Sequence, residues 1–134
     1  MQHEISELIK YRLEKAKEDY KSAKLLLENK HYAQALNRSY YSIFHATRAL
    51  LAIDNLDSKR HSGIIGYFNK YYIATGKIEK EYYKILVGSQ RVRERSDYDD
   101  FYVVVVEEVA LQIKNAELFI KKIESVISDI INSQ

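Results

Sequence analysis

Three arginines fall within five positions, Arg91, Arg93 and Arg95, and the chain then turns acidic around Asp97, Tyr98, Asp99 and Asp100. Guanidinium groups beside carboxylates and a phenol have two uses. They close into ion pairs that fasten a helix end, or one of them is held ready for a phosphate, which a guanidinium grips through two parallel N–H bonds. On a helix, at about 100° per residue, Arg91 and Arg95 share a side and Arg93 lies roughly opposite. Arg93 falls in line with Tyr82, Leu86 and Ser89, the side that packs, so its guanidinium is directed into or beside the interior. Arg91 and Arg95 run with Lys84 and Val87 and face water. Residues 91 to 100 carry three positive and four negative side chains, a poor description of an open polyanion patch. Spacing leaves two readings: an Arg93–Asp97 pair with structural work only, or the same pair with a phosphate site beside Tyr98.

A second polar stripe, Asn37, Tyr41, His45 and Arg48, recurs at spacings of four, four and three beside the apolar positions Ala33, Leu36, Tyr40, Ile43 and Leu50. Such a stripe belongs at the core boundary, where it forms a solvated flank or lines a groove or subunit interface. His45 has no carboxylate or second histidine one helical turn on, which argues against a metal site. His61, in Lys59-Arg60-His61-Ser62-Gly63, opens a helix where backbone amides and two neighbouring cations favour anions. The chain has no Walker-type glycine loop, no paired-glycine dinucleotide fingerprint and no serine elbow.

The elements that must position these residues read as helices. Ile5, Leu8, Ile9, Leu13, Ala16, Tyr20, Ala23 and Leu27 recur at three and four, an amphipathic pattern. Asn29-Lys30-His31 makes a short connection, and a second helix runs from Tyr32 through Leu51, antiparallel to the first. Turn formers cluster at Asp54 to Lys59, with Ser58 as the cap of a shorter helix from about Lys59 to Thr75 that ends at Gly76. Another helix starts near Ile78 and reaches the charged stretch. Asp99 or Asp100 then caps a last helix running to about Asn132 on Val105, Val109, Ile113, Ala116, Ile120, Ile123, Ile127 and Ile130. Val103 to Val106 is strand-like by propensity, but the pattern after it has the helical period. The expectation is an all-α, up-and-down four-helix bundle with one additional short helix, a single domain over residues 1 to 134.

Composition agrees. The chain has no proline, four glycines, no cysteine and twelve tyrosines without a tryptophan. Few enforced breaks favour long helices, and without cysteine there are no disulfides or thiolate metal sites. Net charge is +2, too small to argue for nucleic acid from bulk electrostatics. With neither a basic leader nor an apolar run of spanning length, the sequence reads as soluble and cytoplasmic, with no membrane contact.

Together these segments resemble the HEPN family of small helical domains named for nucleotide binding. The resemblance rests on Tyr11-Arg12-Leu13-Glu14-Lys15-Ala16, on the run from Ala35 through Tyr40-Tyr41 and Phe44-His45 to Leu51, on Lys59-Arg60-His61-Ser62-Gly63-Ile64-Ile65 with Phe68, and on Arg93-Glu94-Arg95-Ser96-Asp97-Tyr98. It covers nearly the whole chain. It implies a helical bundle that forms homodimers and works with a minimal nucleotidyltransferase, often as a toxin–antitoxin pair, on a nucleotide or RNA ligand and without a cofactor. Arg93, Asp97 and Tyr98, with Tyr41, His45, Arg48 and His61, are the candidate phosphate-binding residues. In some family pairs the motif tyrosine receives a nucleotidyl group, a place that Tyr98 occupies.

Many HEPN proteins are metal-independent ribonucleases, with a histidine a few positions after the arginine. The arginine then stabilises phosphorane charge while the histidine moves protons during attack by the 2′-hydroxyl. Here Tyr98 stands where that histidine would be, and no histidine follows Arg93. Phenol and carboxylate titrate too far from neutrality to replace imidazole. Binding is therefore the first expectation. The alternatives are an endoribonuclease that draws on His45 or His61 across the bundle or the dimer, and a dimer scaffold without a ligand.

Overall fold

The computed structural model describes residues 2–134, and among these the regular structure is entirely helical. Helix α1 spans His3–Glu28, α2 Tyr32–Ala52, α3 His61–Phe68, α4 Lys80–Tyr98 and α5 Val106–Asn132. A single π turn, Asn69–Ile73, continues α3 without a break. Four long helices form the bundle and α3 with its π tail is the additional short one, as the periodicity predicts. No helix among the described residues is long and apolar enough to cross a membrane.

Helix α2 is the centre of the bundle, packing against α1, α4 and α5 and touching α3. Every residue from Ser42 to Thr47 is buried, so its middle is enclosed on all sides. Three hydroxyls survive there by donating to carbonyls: Ser39 to Gln112 at 3.0 Å, Ser42 to Ser39 at 2.6 Å and Thr47 to Ile43 at 2.9 Å. Alanines at 16, 23, 46, 49 and 116 are buried, and their small size lets the helices approach closely. The larger apolar cluster holds Ile43, Leu50, Ile64, Phe68, Leu86, Phe119 and Ile123. A smaller one, with Leu36, Val109 and Ile113, lies where α2 meets α5.

The α1–α2 turn is closed by its backbone. His31 N–H donates to Leu26 at 2.8 Å and Lys30 N–H to Leu27 at 3.0 Å, the paired bonds of a Schellman motif. That motif needs a left-handed residue, and Lys30 takes it with φ of 64°.

Two caps expected from sequence are not made. Helix α3 starts at His61 after Arg60, with no side-chain cap. The Ser58 hydroxyl instead accepts the Arg60 N–H at 3.1 Å, holding the loop before the helix. Gly63 is the reason this loop can lie so close. A methyl there would sit 2.6 Å from the Ser58 Cβ. Nor do Asp99 and Asp100 cap the last helix, which begins at Val106 with Val105 extended before it. Asp99 caps a turn, its carboxylate accepting the Phe101 N–H at 3.0 Å and its carbonyl the Tyr102 N–H at 3.1 Å. The valines that follow lose rotamer freedom in a helix, and extended backbone lets Val104 pack on the smaller cluster while its neighbours point out.

Candidate functional site

Helix α4 carries Arg93 against the face of α2 because Ser89 and Leu86, one and two turns earlier, are buried on the same side. The Arg93 side chain is 16% exposed, whereas Arg91 and Arg95 face solvent. The guanidinium carbon lies 5.6 Å from the ring centre of Tyr40 and 5.4 Å from that of Tyr41, with the Tyr98 ring 6.0 Å away. Aromatic faces hold a cation this way through their quadrupole, and more firmly where water is thin. Arg93 Nε is 2.9 Å from Asp97 Oδ2, the expected pair. The contact is an ion pair rather than a hydrogen bond, because the N–H is not aligned on the oxygen and Nε has no acceptor.

Beneath Arg93 lies a stacked set. Tyr40 and Tyr41 are consecutive on α2, and the buried Tyr40 hydroxyl is 2.7 Å from His61 Nδ1 at the start of α3. The His61 ring stacks on Phe44 with centroids 4.2 Å apart, and Tyr41 meets it edge-on at 5.8 Å. Burial and the adjacent Tyr41 push the Tyr40 phenol well above its ordinary range, so it stays protonated and can donate to Nδ1. Burial, then the Arg93 and Arg48 charges, depress the His61 imidazole, which is neutral at pH 7. His61 is thus an inward-facing ring, and not an open helix-start residue as its sequence context suggests.

Tyr41, His45 and Arg48 face the other side of this set. Between α2 and the loop from Asp57 to His61 opens a cleft of about 410 Å³, lined by Tyr41, Phe44, His45, Arg48, Lys59 and His61 among others. Arg48 donates to both oxygens of Asp57, at 3.1 and 3.3 Å. Burial alone would raise the Asp57 carboxyl, but the Arg48 bonds, the Ser58 N–H and the charge of Arg12 hold it below the usual range. A second hollow, of about 440 Å³, lies on the Asn37, Arg38 and Asp97 side.

His45 sits deeper than a boundary residue, at 9% exposure. Its Nε2 is 3.6 Å from Asp19 Oδ2, and among the described residues its Nδ1 has no hydrogen-bond partner. The neighbouring carboxylate does not charge the imidazole. Burial comes first, Lys15, Arg48, Arg38 and Arg12 add to it, and the pKa falls to about 4. Asp19 is itself pushed up by burial and spends its charge on Arg38, at 3.1 Å.

Several residues here escape a reading by spacing. Arg12 reaches from α1 to the Arg48 carbonyl at 3.0 Å and to Asp57 at 3.4 Å. Arg38 holds Asp19 and lies 5.1 Å over the Tyr41 ring, opposite in role to an exposed flank. A signal for two of them existed: Ile9, Arg12, Ala16, Asp19 and Ala23 form the buried stripe of α1, and charges in such a register mark buried pairing. Among the described residues the carboxylates that pair with Arg12, Arg38, Arg48 and Arg93 are Asp19, Asp57 and Asp97, so the group keeps a positive excess with neutral imidazoles between. Of the residues singled out by sequence, Tyr41, His61, Arg93 and Asp97 come together, His45 and Arg48 adjoin them, and Tyr98 is 75% exposed at the rim.

A family model described as the HEPN domain matches residues 9–130. The chain is similar to the protein named "Putative toxin MJ0605" of Methanocaldococcus jannaschii, 38% identical over 128 residues that cover 96% of this chain and 95% of that one. It is also similar to a UPF0332 protein of Thermotoga maritima, 35% identical over 96% of this chain and 97% of the other. A UPF0332 protein of Archaeoglobus fulgidus is 31% identical over 90% of this chain and 95% of the other. Matched over nearly all of its length by that family model and by these relatives, the chain belongs to the HEPN domain family.

Proposed function

We propose that this protein is the phosphate-binding half of a two-protein system: a HEPN module, acting as a dimer, that takes a nucleotide or RNA phosphate on Arg93 and works with a minimal nucleotidyltransferase. The observation that carries this reading is the Arg93 guanidinium, held over the adjacent rings of Tyr40 and Tyr41 with an Nε that has no aligned acceptor among the described residues. A guanidinium so placed is oriented before the ligand arrives and loses little freedom on binding it. The aromatic cleft with Arg48, Lys59 and His61 gives a base a surface to stack on. Two Methanocaldococcus jannaschii relatives carry the name "Putative toxin", which supports reading this chain as the toxin of such a pair. Tyr98, exposed within reach of Arg93, is the hydroxyl for the nucleotidyltransferase to modify: it takes the nucleotidyl group of a nucleoside triphosphate with release of pyrophosphate, and the resulting aryl phosphodiester would cover the arginine.

Calorimetry with AMP, ATP and short RNAs tests the binding claim. Arg93→Ala lowers affinity by about tenfold or more, the loss of a charge-assisted pair. Asp97→Asn raises it, because the aspartate competes for the same guanidinium. No binding, or binding indifferent to Arg93, overturns the reading. Mass spectrometry of a Tyr98 peptide after incubation with the adjacent transferase and ATP tests the modification.

A specific contact favours an endoribonuclease as second reading. His61, joined to Tyr40 under Arg93, supplies the imidazole that the motif lacks. Neutral at pH 7, it suits a general base for a 2′-hydroxyl through Nε2 in the tautomer whose Nδ1–H donates to the Tyr40 oxygen, the opposite of the one in which Tyr40 donates. RNA cleavage in the presence of a chelator, lost in both Arg93→Ala and His61→Ala, would place this reading first.

A further inference from the structure

The segment between α4 and α5 plays no part in the site above, and its construction is unusual. Exposure alternates along it: Phe101 is 94% exposed, Val103 77% and Val105 51%, whereas Tyr102 and Val104 turn inward. Val104 packs on the smaller core cluster and Tyr102 lies 5.0 Å from the Arg95 guanidinium. That is the period of a strand with one face anchored and one face apolar and bare. The backbone is equally unspent. Among the described residues, the N–H groups of Val103, Val104 and Val105 donate to no backbone carbonyl, and the carbonyls of Phe101 to Val104 accept from no backbone N–H. An open, apolar, β-branched edge of this kind pairs with another extended chain if one is offered.

Charge selects the chain. Residues 99 to 108 contain four carboxylates, Asp99 and Asp100 before the apolar run and Glu107 and Glu108 after it, and no basic side chain. Among the described residues none of the four has an ion-pair partner, unlike Asp19, Asp57 and Asp97. A second copy is a poor occupant. Antiparallel self-pairing sets Asp99 and Asp100 of one copy beside Glu107 and Glu108 of the other, parallel pairing sets each acid beside itself, and both repel. A nucleic acid or an anionic bilayer is repelled by the same carboxylates.

We propose that residues 101–105 are a docking edge for an extended segment of a different protein, apolar at alternate positions and basic at both ends, which adds to this chain as a β-strand. Main-chain bonds supply the pairing, Phe101, Val103 and Val105 supply the apolar face, and the flanking acids select a basic partner and set its register. The proposal is independent of the phosphate site. It gives the protein a second contact surface, joined to Tyr98 through the Asp99 turn.

The test uses a synthetic peptide with alternating valine and threonine and paired arginines at each end, and the same core flanked by glutamates. Fluorescence anisotropy with the full chain is expected to show the basic peptide binding about tenfold or more tightly than the acidic one. Hydrogen exchange should slow at the amides of residues 103 to 105. Val103→Pro should abolish binding with an unchanged circular dichroism spectrum, since among the described residues that N–H donates to no backbone carbonyl and Val103 lies outside the helices. Neutralising Asp99, Asp100, Glu107 and Glu108 to their amides should remove the preference for arginine. The proposal is overturned if the basic peptide does not bind, if the two peptides bind alike, or if Val103→Pro dissociates a dimer in sedimentation while wild-type protein ignores the peptide.

Discussion

Lowering the pH from 7 to 5.5 should destabilise this protein through one imidazole. His45 on α2 is 9% exposed and faces Arg12, Lys15 and Asp19 from α1 and Arg38 and Arg48 from its own helix. Burial first, then the four cations, bring its pKa from the ordinary 6.5 to about 4. Between these values the unfolded chain takes up a proton that the folded chain refuses, so stability falls as pH falls through 6.5 and the loss is complete below about 4. Integrated over both states, His45 alone removes about 1.2 kcal/mol between pH 7 and 5.5, and about 3 kcal/mol over the full range. His61, also depressed, adds to the same loss. Asp19, its carboxyl raised by burial, acts with the opposite sign as it gains a proton. Urea unfolding at pH 7.0, 6.2 and 5.5 reads the effect as a midpoint drop of about half a molar at an ordinary m-value. His45→Gln fills similar space without titrating, and its midpoint should move less than that of wild type by the His45 share. Parallel profiles for the two proteins would refute the reasoning. A wild-type midpoint that rises on acidification would show the Asp19 contact dominating and the imidazole charged in the fold.

Four further outcomes follow from single residues. Lys30→Gly removes a left-handed lysine from the α1–α2 turn and should stabilise the fold by about 0.5–1 kcal/mol in thermal or urea unfolding, the helices being unchanged. Gly63→Ala drives a methyl into Ser58 and should cost about 1–3 kcal/mol, with added mobility in the loop that walls the cleft, measurable by hydrogen exchange at residues 57 to 61. Asp57→Ala leaves Arg12, 8% exposed, without a carboxylate and should destabilise the chain by several kcal/mol, about 3–5 in the limit of a fully buried pair and less here because Asp57 is half exposed. Arg48→Ala should cost less, since Arg12 retains its contact with Asp57.

The helices and the inward turn of Arg93 were legible in the sequence because both follow from local geometry. A 3.6-residue period, short connections and the absence of proline determine five helices, and four positions along α4 determine that Arg93 shares a face with Ser89 and Asp97. The tertiary structure alone decided what that face meets. Arg12 joins Asp57 across 45 positions and Arg38 joins Asp19 across 19, pairings set by helix packing and invisible to periodicity. It buried His45, which spacing placed at a boundary, because α1 closes over that side of α2. It also brought His61 from another helix against Tyr40, the ring that Arg93 overlies. At Asp99 to Val105 two local signals conflicted, aspartates suited to a cap and valines suited to a strand. Extended backbone prevailed because it sends Val104 inward to the small cluster and turns Val103 and Val105 outward.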